Sequence, residues 1–354
     1  MLQAALKFPF RLIYRLFPAS QPTLRGWKAQ LARAATTRYH GSDALHSLRH
    51  MVWREHDNRY WKLSAELIFQ YHKIEKGLSI GGPPRFFGLK PVLATCQLVE
   101  RWQSAGLSLE DPVFVGAIEA LRSYRRRLDD TPAPPEQATR LRNAVERCLC
   151  LAAPNAALAT PRPYRAPPSG AAAMLDDLLS SRRSVRDYSE RPVSIADLHA
   201  AIAAAQLSPS ACNRQPWRIH VYREPAQIRE LLALQNGNTG FGHQLSTLLV
   251  LAADADCFFD ASERQEPYID GGLFAMSLIL ALQARGLASC CLNWCVTPQR
   301  DAEAHRRGSI PESQRIVMYM AVGYAAEGAL VPRSTRRTLE SMTVWHAPQP
   351  PTAS

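Results

Sequence analysis

Residues 207–217 read Leu-Ser-Pro-Ser-Ala-Cys-Asn-Arg-Gln-Pro-Trp, and the chain changes character there. Just upstream, residues 195–206 repeat apolar positions at helical spacing, and Ser194 with Asp197 resembles a capping box at the start of that run. Just downstream, Arg218–Tyr222 carries a strand signal. Pro209 and Pro216 hold the segment between them extended, because each fixes its own φ and disfavours helix in the residue before it. Asn213 and Gln215 place two amides, each both donor and acceptor, two residues apart, and Trp217 supplies a large apolar anchor. Taken alone, the stretch fits equally well a strand-entry loop with an Asn turn. Either way it joins a helix to a strand, which puts a sheet in the C-terminal half.

Working outward, helical runs at 174–181, 195–206, 226–234 and 267–285 alternate with short strand signals at Arg218–Tyr222, Thr247–Ala253, Ala288–Leu292 and Ile316–Val322. Gly286 closes the longest apolar helix. This pattern predicts an α+β arrangement of helices around one sheet. The N-terminal half lacks strand signals. Residues 43–76 read as helical through Leu45, Leu48, Val52, Leu63, Leu67, Tyr71 and Ile74, ending at Lys76-Gly77-Leu78 with glycine as a left-handed cap. Asp111-Pro112 opens a helix over 112–128, between helices near 90–104 and 136–152. Five prolines then crowd residues 154–169. The expected division is an arm over 1–42, a helical domain over 43–153, a Pro-rich linker over 154–170, an α+β domain over 171–346 and a disordered tail over 347–354.

The 354 residues are 46% hydrophobic and 21% charged, enough apolar content to exclude a disordered chain. Eighteen Gly and eight Cys exclude collagen-like and disulfide-scaffold classes. The net charge of +11 is uneven: residues 1–42 hold seven Lys or Arg and no acid. Lys7, Arg11 and Arg15 form one helical stripe, with Leu6, Phe10, Ile13 and Phe17 on another side. That pattern suits an amphipathic segment lying in a membrane interface, although a helix packed on the rest of the protein is the commoner source of such a stripe. The apolar part is shorter than the ~20 residues that span a bilayer, and no signal-peptide cleavage site follows it. No nucleic-acid-binding module is present. With scattered cysteines and no export signal, the expected location is cytoplasmic, with peripheral contact at the inner face of a membrane if the arm lies in an interface. His46, His50 and His56 lack a Cys or acid to complete a metal set, so no metal is expected. Cys290, Cys291 and Cys295 have apolar neighbours and read as buried, inert thiols.

No GxGxxG after a strand, P-loop, GxSxG elbow or HExxH occurs. Arg182-Arg183-Ser184-Val185-Arg186 instead concentrates guanidiniums and a hydroxyl, which suits a phosphate dianion, although an arginine run is more often a solvated surface. The paired amides of Asn213 and Gln215 match what the pyrimidine edge and ribityl hydroxyls of a flavin need.

In this order the pieces resemble the nitroreductase family of FMN-dependent oxidoreductases. Three further matches follow: the helix from Gly272-Leu273 to Gly286-Leu287, Ile310-Pro311-Glu312 with a strand ending Gly323-Tyr324, and Arg336-Arg337-Thr338-Leu339-Glu340. The resemblance covers residues 174–346, about half of the chain. It implies a mixed or antiparallel central sheet flanked by helices and a homodimer with FMN at its interface. By that resemblance Arg182, Arg183, Ser184 and Arg186 hold the phosphate, ribityl and pyrimidine side. Arg336 completes the phosphate site, with Arg333 and Arg337 competing for the role. Pro209, Ser210, Ala211, Asn213 and Gln215 come from the other subunit, and Asn238 is a ribityl or phosphate-side ligand. The loop holding Asn293 and Trp294 would offer backbone N–H groups to the flavin, but lacks the glycine often found there. The resemblance implies that the flavin carries the chemistry with no catalytic side chain. NAD(P)H would be the transient hydride donor in a ping-pong transfer to a small-molecule substrate. Similar helical extensions occur on relatives encoded beside polysaccharide-synthesis genes, and the segment His72–Leu78 is where this one would touch substrate. The reading from another class is a non-catalytic scaffold that recruits a membrane-associated partner.

Overall fold

The computed structural model describes residues 36–37, 39–54, 56–151 and 160–346. The amphipathic arm through Phe17 and the tail over 347–354 therefore lie outside the described residues, as does most of the N-terminal part of the Pro-rich segment. The elements before that segment are α1 (Tyr39–His50), α2 (Tyr60–Ser79), α3 (Leu89–Ser104), α4 (Pro112–Asp129) and α5 (Pro135–Leu149). After it come α6 (Ala171–Ser181), α7 (Ile195–Ala205), β1 (Trp217–Tyr222), α8 (Pro225–Leu232) and β2 (Thr247–Asp254). The remainder are α9 (Glu266–Gln283), β3 (Ala288–Leu292), α10 (Pro298–Gly308), β4 (Gln314–Gly323) and α11 (Leu339–Met342).

Helices α2 to α5 bury one apolar core that includes Leu63, Leu67, Trp102, Phe114, Leu121, Leu141 and Val145. Each such side chain contributes about 1.5–3 kcal/mol by leaving water. The Asp111 carboxylate caps α4 by accepting from the Val113 N–H at 2.8 Å, and Pro112 takes the first turn, where no N–H is needed. Two local expectations are corrected. The run over 43–76 is two helices, because residues 51–54 and 56–59 leave the helical course and seat Met51 and Trp53 against Ala255, Cys257 and Phe258 of the other half. The buried Lys62 ammonium donates to the Val52 carbonyl exposed by that break, at 2.7 Å. Gly77 is not a left-handed cap either, since α2 continues to Ser79. Its missing side chain admits the Phe87 ring, which a Cβ would approach to 2.0 Å.

The C-terminal half holds a four-stranded antiparallel sheet in the order β1-β2-β4-β3, with a register shift at Leu251/Ala252. Alternation along β2 divides its side chains between two layers. Leu249 and Leu251, with Met320 and Val322 of β4, pack under Leu198 of α7 and Phe274, Leu278 and Leu282 of α9. Leu248 and Val250, with Tyr319 and Ala321, pack on Ile228, Leu231 and Ala304 of α8 and α10. Every residue of β2 is buried, as expected of a strand covered on both faces and paired on both edges. Gly286 stops α9 in the left-handed conformation, φ 70°, where the sequence places the stop. The Ser194 hydroxyl accepts from the Asp197 N–H at 3.2 Å, as its capping pattern predicts. Among the described residues, no helix is long and apolar enough to cross a membrane.

Candidate functional site

Segment 207–217 leaves α7 and enters β1 through a loop held in an unusual conformation. Cys212, Asn213 and Gln215 have φ of 52°, 57° and 52°. Asn tolerates this left-handed region, whereas Cys and Gln do not, so the loop stores roughly 1–3 kcal/mol at each such residue. The surroundings hold it there. The Ala211 N–H donates to both oxygens of Asp270, at 3.0 and 3.2 Å, and the Gln215 N–H donates to the Ser210 hydroxyl at 3.0 Å. The Gln215 amide donates to the Asn213 carbonyl at 3.1 Å. Arg214 is fully buried and donates to both oxygens of Glu263 and to the carbonyls of Ala211 and Cys257. Phe258, Phe69 and Trp53 ring that guanidinium at 4.8, 5.6 and 5.9 Å. Burial pushes the Asp270 carboxyl up to about 6, with the Ala211 N–H opposing. The Trp217 indole N–H donates to the Asp270 carbonyl, tying the strand entrance to α9.

The arginine run begins where α6 ends and lies along the outer edge of β3. Ser184 bridges Ser289 in parallel, and the Val185 N–H donates to the Ser289 carbonyl at 3.2 Å. Val185 and Tyr188 point inward, so Arg186 faces out, and Arg182 and Arg183 are half-exposed. Arg183 donates to the Ser180 and Arg182 carbonyls. Among the described residues, none of these three guanidiniums has a carboxylate partner, although arginines elsewhere in the chain find one repeatedly. Three cations without carboxylate partners within five residues have the chemistry to hold an anion.

Asn238 and Asn293, far apart in sequence, meet through Gln235. The Asn238 amide donates to the Leu232 and Gln235 carbonyls, and the Gln235 amide donates to the Asn293 carbonyl at 3.0 Å. Asn238 thus spends its N–H groups on shaping this loop. Trp294 stacks on Tyr319 with ring centroids 4.4 Å apart and donates to Asp301 at 2.7 Å, so its side chain anchors the loop. Cys290 is buried, whereas Cys291 and Cys295 are exposed, which corrects the expectation of three buried thiols. Arg336 is exposed on an extended tail beyond β4 and donates to the Ser334 carbonyl. Leu330, Val331, Leu339, Met342, Val344 and Trp345 are exposed along the same tail.

Helix α9 separates the two halves of the site. Ala211 binds Asp270 near its start, and Ser181 meets Gln283 at its end, 3.5 Å away. Those two points are about 20 Å apart at 1.5 Å per residue, so one chain does not bring the arginine run against the amide pair. Along its length α9 exposes Ile269, Leu273 and Met276. Sequence reasoning missed Arg214, Glu263 and Asp270. Asp270 did carry a signal, an acid inside the apolar run of α9.

The sequence model described as "Nitroreductase family" matches residues 179–238 and 227–324. The chain is 30% identical over 200 residues to an NADH dehydrogenase of Thermus thermophilus, an alignment covering 46% of this chain and 92% of that protein. It is 27% identical over 205 residues to a 4-nitrobenzoate reductase of Pseudomonas putida, covering 44% and 87%. A crystal structure of a nitroreductase with bound FMN from Bacteroides fragilis aligns at 21% identity and a TM-score of 0.39, over 49% of this chain and 98% of that one. The family match falls on the half that holds the sheet, the arginine run and the left-handed loop. By that shared half, this chain belongs to the nitroreductase family.

Proposed function

We propose that the protein is an FMN-dependent oxidoreductase that takes hydride from NAD(P)H, and that it works as a homodimer. The carrying observation is the separation of two incomplete half-sites by a helix with an exposed apolar face. A second copy packed on α9 would cover Ile269, Leu273 and Met276 and bring one chain's arginine run to its partner's amide loop. The family membership and the fit of the donors support the cofactor. Arg182, Arg183 and Arg186, whose charges have no carboxylate partner among the described residues, and the Ser184 hydroxyl are suited to a phosphate and an electron-rich ring edge. Arg336, with Arg333 and Arg337 beside it, sits on a tail long and exposed enough to join that phosphate site. Pro209, Ser210, Ala211, Asn213 and Gln215 form a pre-shaped loop with the amide chemistry of the pyrimidine and ribityl side.

When bound, FMN would supply the hydride chemistry that links NAD(P)H to a small-molecule acceptor in a ping-pong scheme. The chain's contribution is binding, orientation and charge. Arginines at the pyrimidine edge favour negative charge there. Asp270, Glu263 and Arg214 fix the loop's shape before the cofactor arrives, which reduces the ordering cost of binding. Asn238, Gln235 and Trp294 hold the loop after β3 in place, so that the Asn293 backbone N–H would be free to serve a flavin there. The visible spectrum of the purified protein tests the reading. A yellow protein holding about one FMN per chain and bleached anaerobically by NADH or NADPH is expected. A colourless protein with no affinity for added FMN overturns it.

A further inference from the structure

Helix α2 lies outside the half that matches the nitroreductase family, yet its C-terminal part packs directly on the left-handed loop. Phe69 is the hinge of that contact: its ring meets Trp53 at 5.4 Å and Phe259 at 5.5 Å, and lies under the Arg214 guanidinium. One turn on, the Lys73 ammonium sits 3.7 Å above the centroid of the same ring, and donates to the Gln70 side chain at 3.2 Å. Cys212 of the loop is close enough to interact with it electrostatically. No carboxylate among the described residues pairs with Lys73. The nearest candidate on its own helix, Glu75, is engaged by His72 at 3.0 Å and by the Thr160 hydroxyl at 3.3 Å. Lys76, three residues further along, adds a second positive charge.

We propose that Lys73 is a specificity residue of this enzyme, binding an anionic group, a carboxylate or phosphate, on the acceptor substrate at the rim of the flavin site. The inference rests on the flavin reading above, because the loop it adjoins is one half of that site. A half-buried ammonium on an aromatic face has lost much of its hydration and lacks a counter-ion. Burial accordingly lowers the pKa of Lys73, and an arriving anion would relieve that cost. The helical region then does more than cover the sheet: it brings to the site a charge that the family half does not encode.

The test compares two nitroaromatic acceptors that differ in charge, 4-nitrobenzoate and nitrobenzene, with the holoenzyme and NADH in excess. The wild-type enzyme is expected to favour 4-nitrobenzoate. Lys73→Met should raise its KM about tenfold while nitrobenzene turnover stays within about twofold, and Lys73→Arg should retain the preference. Equal changes for both acceptors, or no change for either, overturn the proposal. So does a Lys73→Met effect confined to NADPH against NADH, which would assign the charge to the nucleotide's phosphate. The flavin absorbance of the same samples separates the two readings. A colourless wild-type protein overturns the flavin reading and this inference with it, whereas a yellow wild-type enzyme whose discrimination survives Lys73→Met overturns this inference alone.

Discussion

Arg214 and Glu263 form a buried bidentate pair, with Nη1 and Nη2 at 2.9 and 2.6 Å from the two carboxylate oxygens. The pair lies directly beneath the loop that carries Asn213 and Gln215. Glu263→Ala leaves a fully buried guanidinium without its counter-charge, which should cost about 3–5 kcal/mol of stability. The same change should release the loop, so flavin content should fall together with the thermal midpoint. Differential scanning calorimetry and the visible spectrum of one preparation check both. Glu263→Gln, which keeps one acceptor, should fall between the two.

Asp270 gives the loop a pH dependence. Its folded carboxyl titrates near 6, above the unfolded value of 3.8, so the folded state binds the extra proton between those values. Stability from this group is therefore fully present at low pH and is lost as pH rises towards and past 6. Asp270→Asn keeps an acceptor for the Ala211 N–H and removes the buried charge. The variant should gain on the wild type at pH 8 relative to pH 4 in urea midpoints, whereas Asp270→Ala, which orphans that N–H, should lose at both.

His46 acts with the opposite sign. Burial, aided by Arg315 nearby, lowers its pKa from 6.5 to about 3, while its hydrogen bond to the Glu312 carbonyl opposes the shift. Here the unfolded chain takes up the proton first. The stability it confers is present above 6.5 and is lost as pH falls below that value. Seating of α1 on the sheet half should weaken between pH 7.5 and 5.5, seen as faster proteolysis within α1, and His46→Gln should flatten that dependence.

Gly77→Ala tests close approach against helix propensity. In an open helix the change would stabilise by about 1 kcal/mol. At this position the new methyl would enter the Phe87 ring, which also packs edge-on to Tyr124 at 5.3 Å. The expected result is a net loss of about 1–3 kcal/mol in chemical denaturation. Adding Phe87→Leu should recover part of it.

Features encoded by neighbours in sequence were legible before the structure. Asp111-Pro112, Ser194 with Asp197, and Gly286 each mark a helix end through contacts spanning a few residues, and the strands fell within a few residues of their expected limits. The arginine run and the amide pair were legible because their chemistry is carried by consecutive side chains. What escaped depends on partners far along the chain. The break after His50 is set by Trp53, whose indole donates to the Asp256 carbonyl 203 residues away. Gly77 reads as a cap until Phe87 is placed over it. Arg214 looked like a spacer between two amides, because nothing local announces that Glu263 and three aromatic rings will enclose it.

Helix α6 buries none of its eleven residues and exposes Met174, Leu175 and Leu179. An isolated helix of that length is marginal in water, so its own chain supplies little reason for it to persist. Yet it ends at Arg182, where the arginine run begins, and so it aims the first guanidinium. Its order is thus a gauge of whatever covers those three side chains. On dilution α6 should be the first described element to exchange its amide protons, and the arginine run should lose its order before the sheet beneath it changes at all.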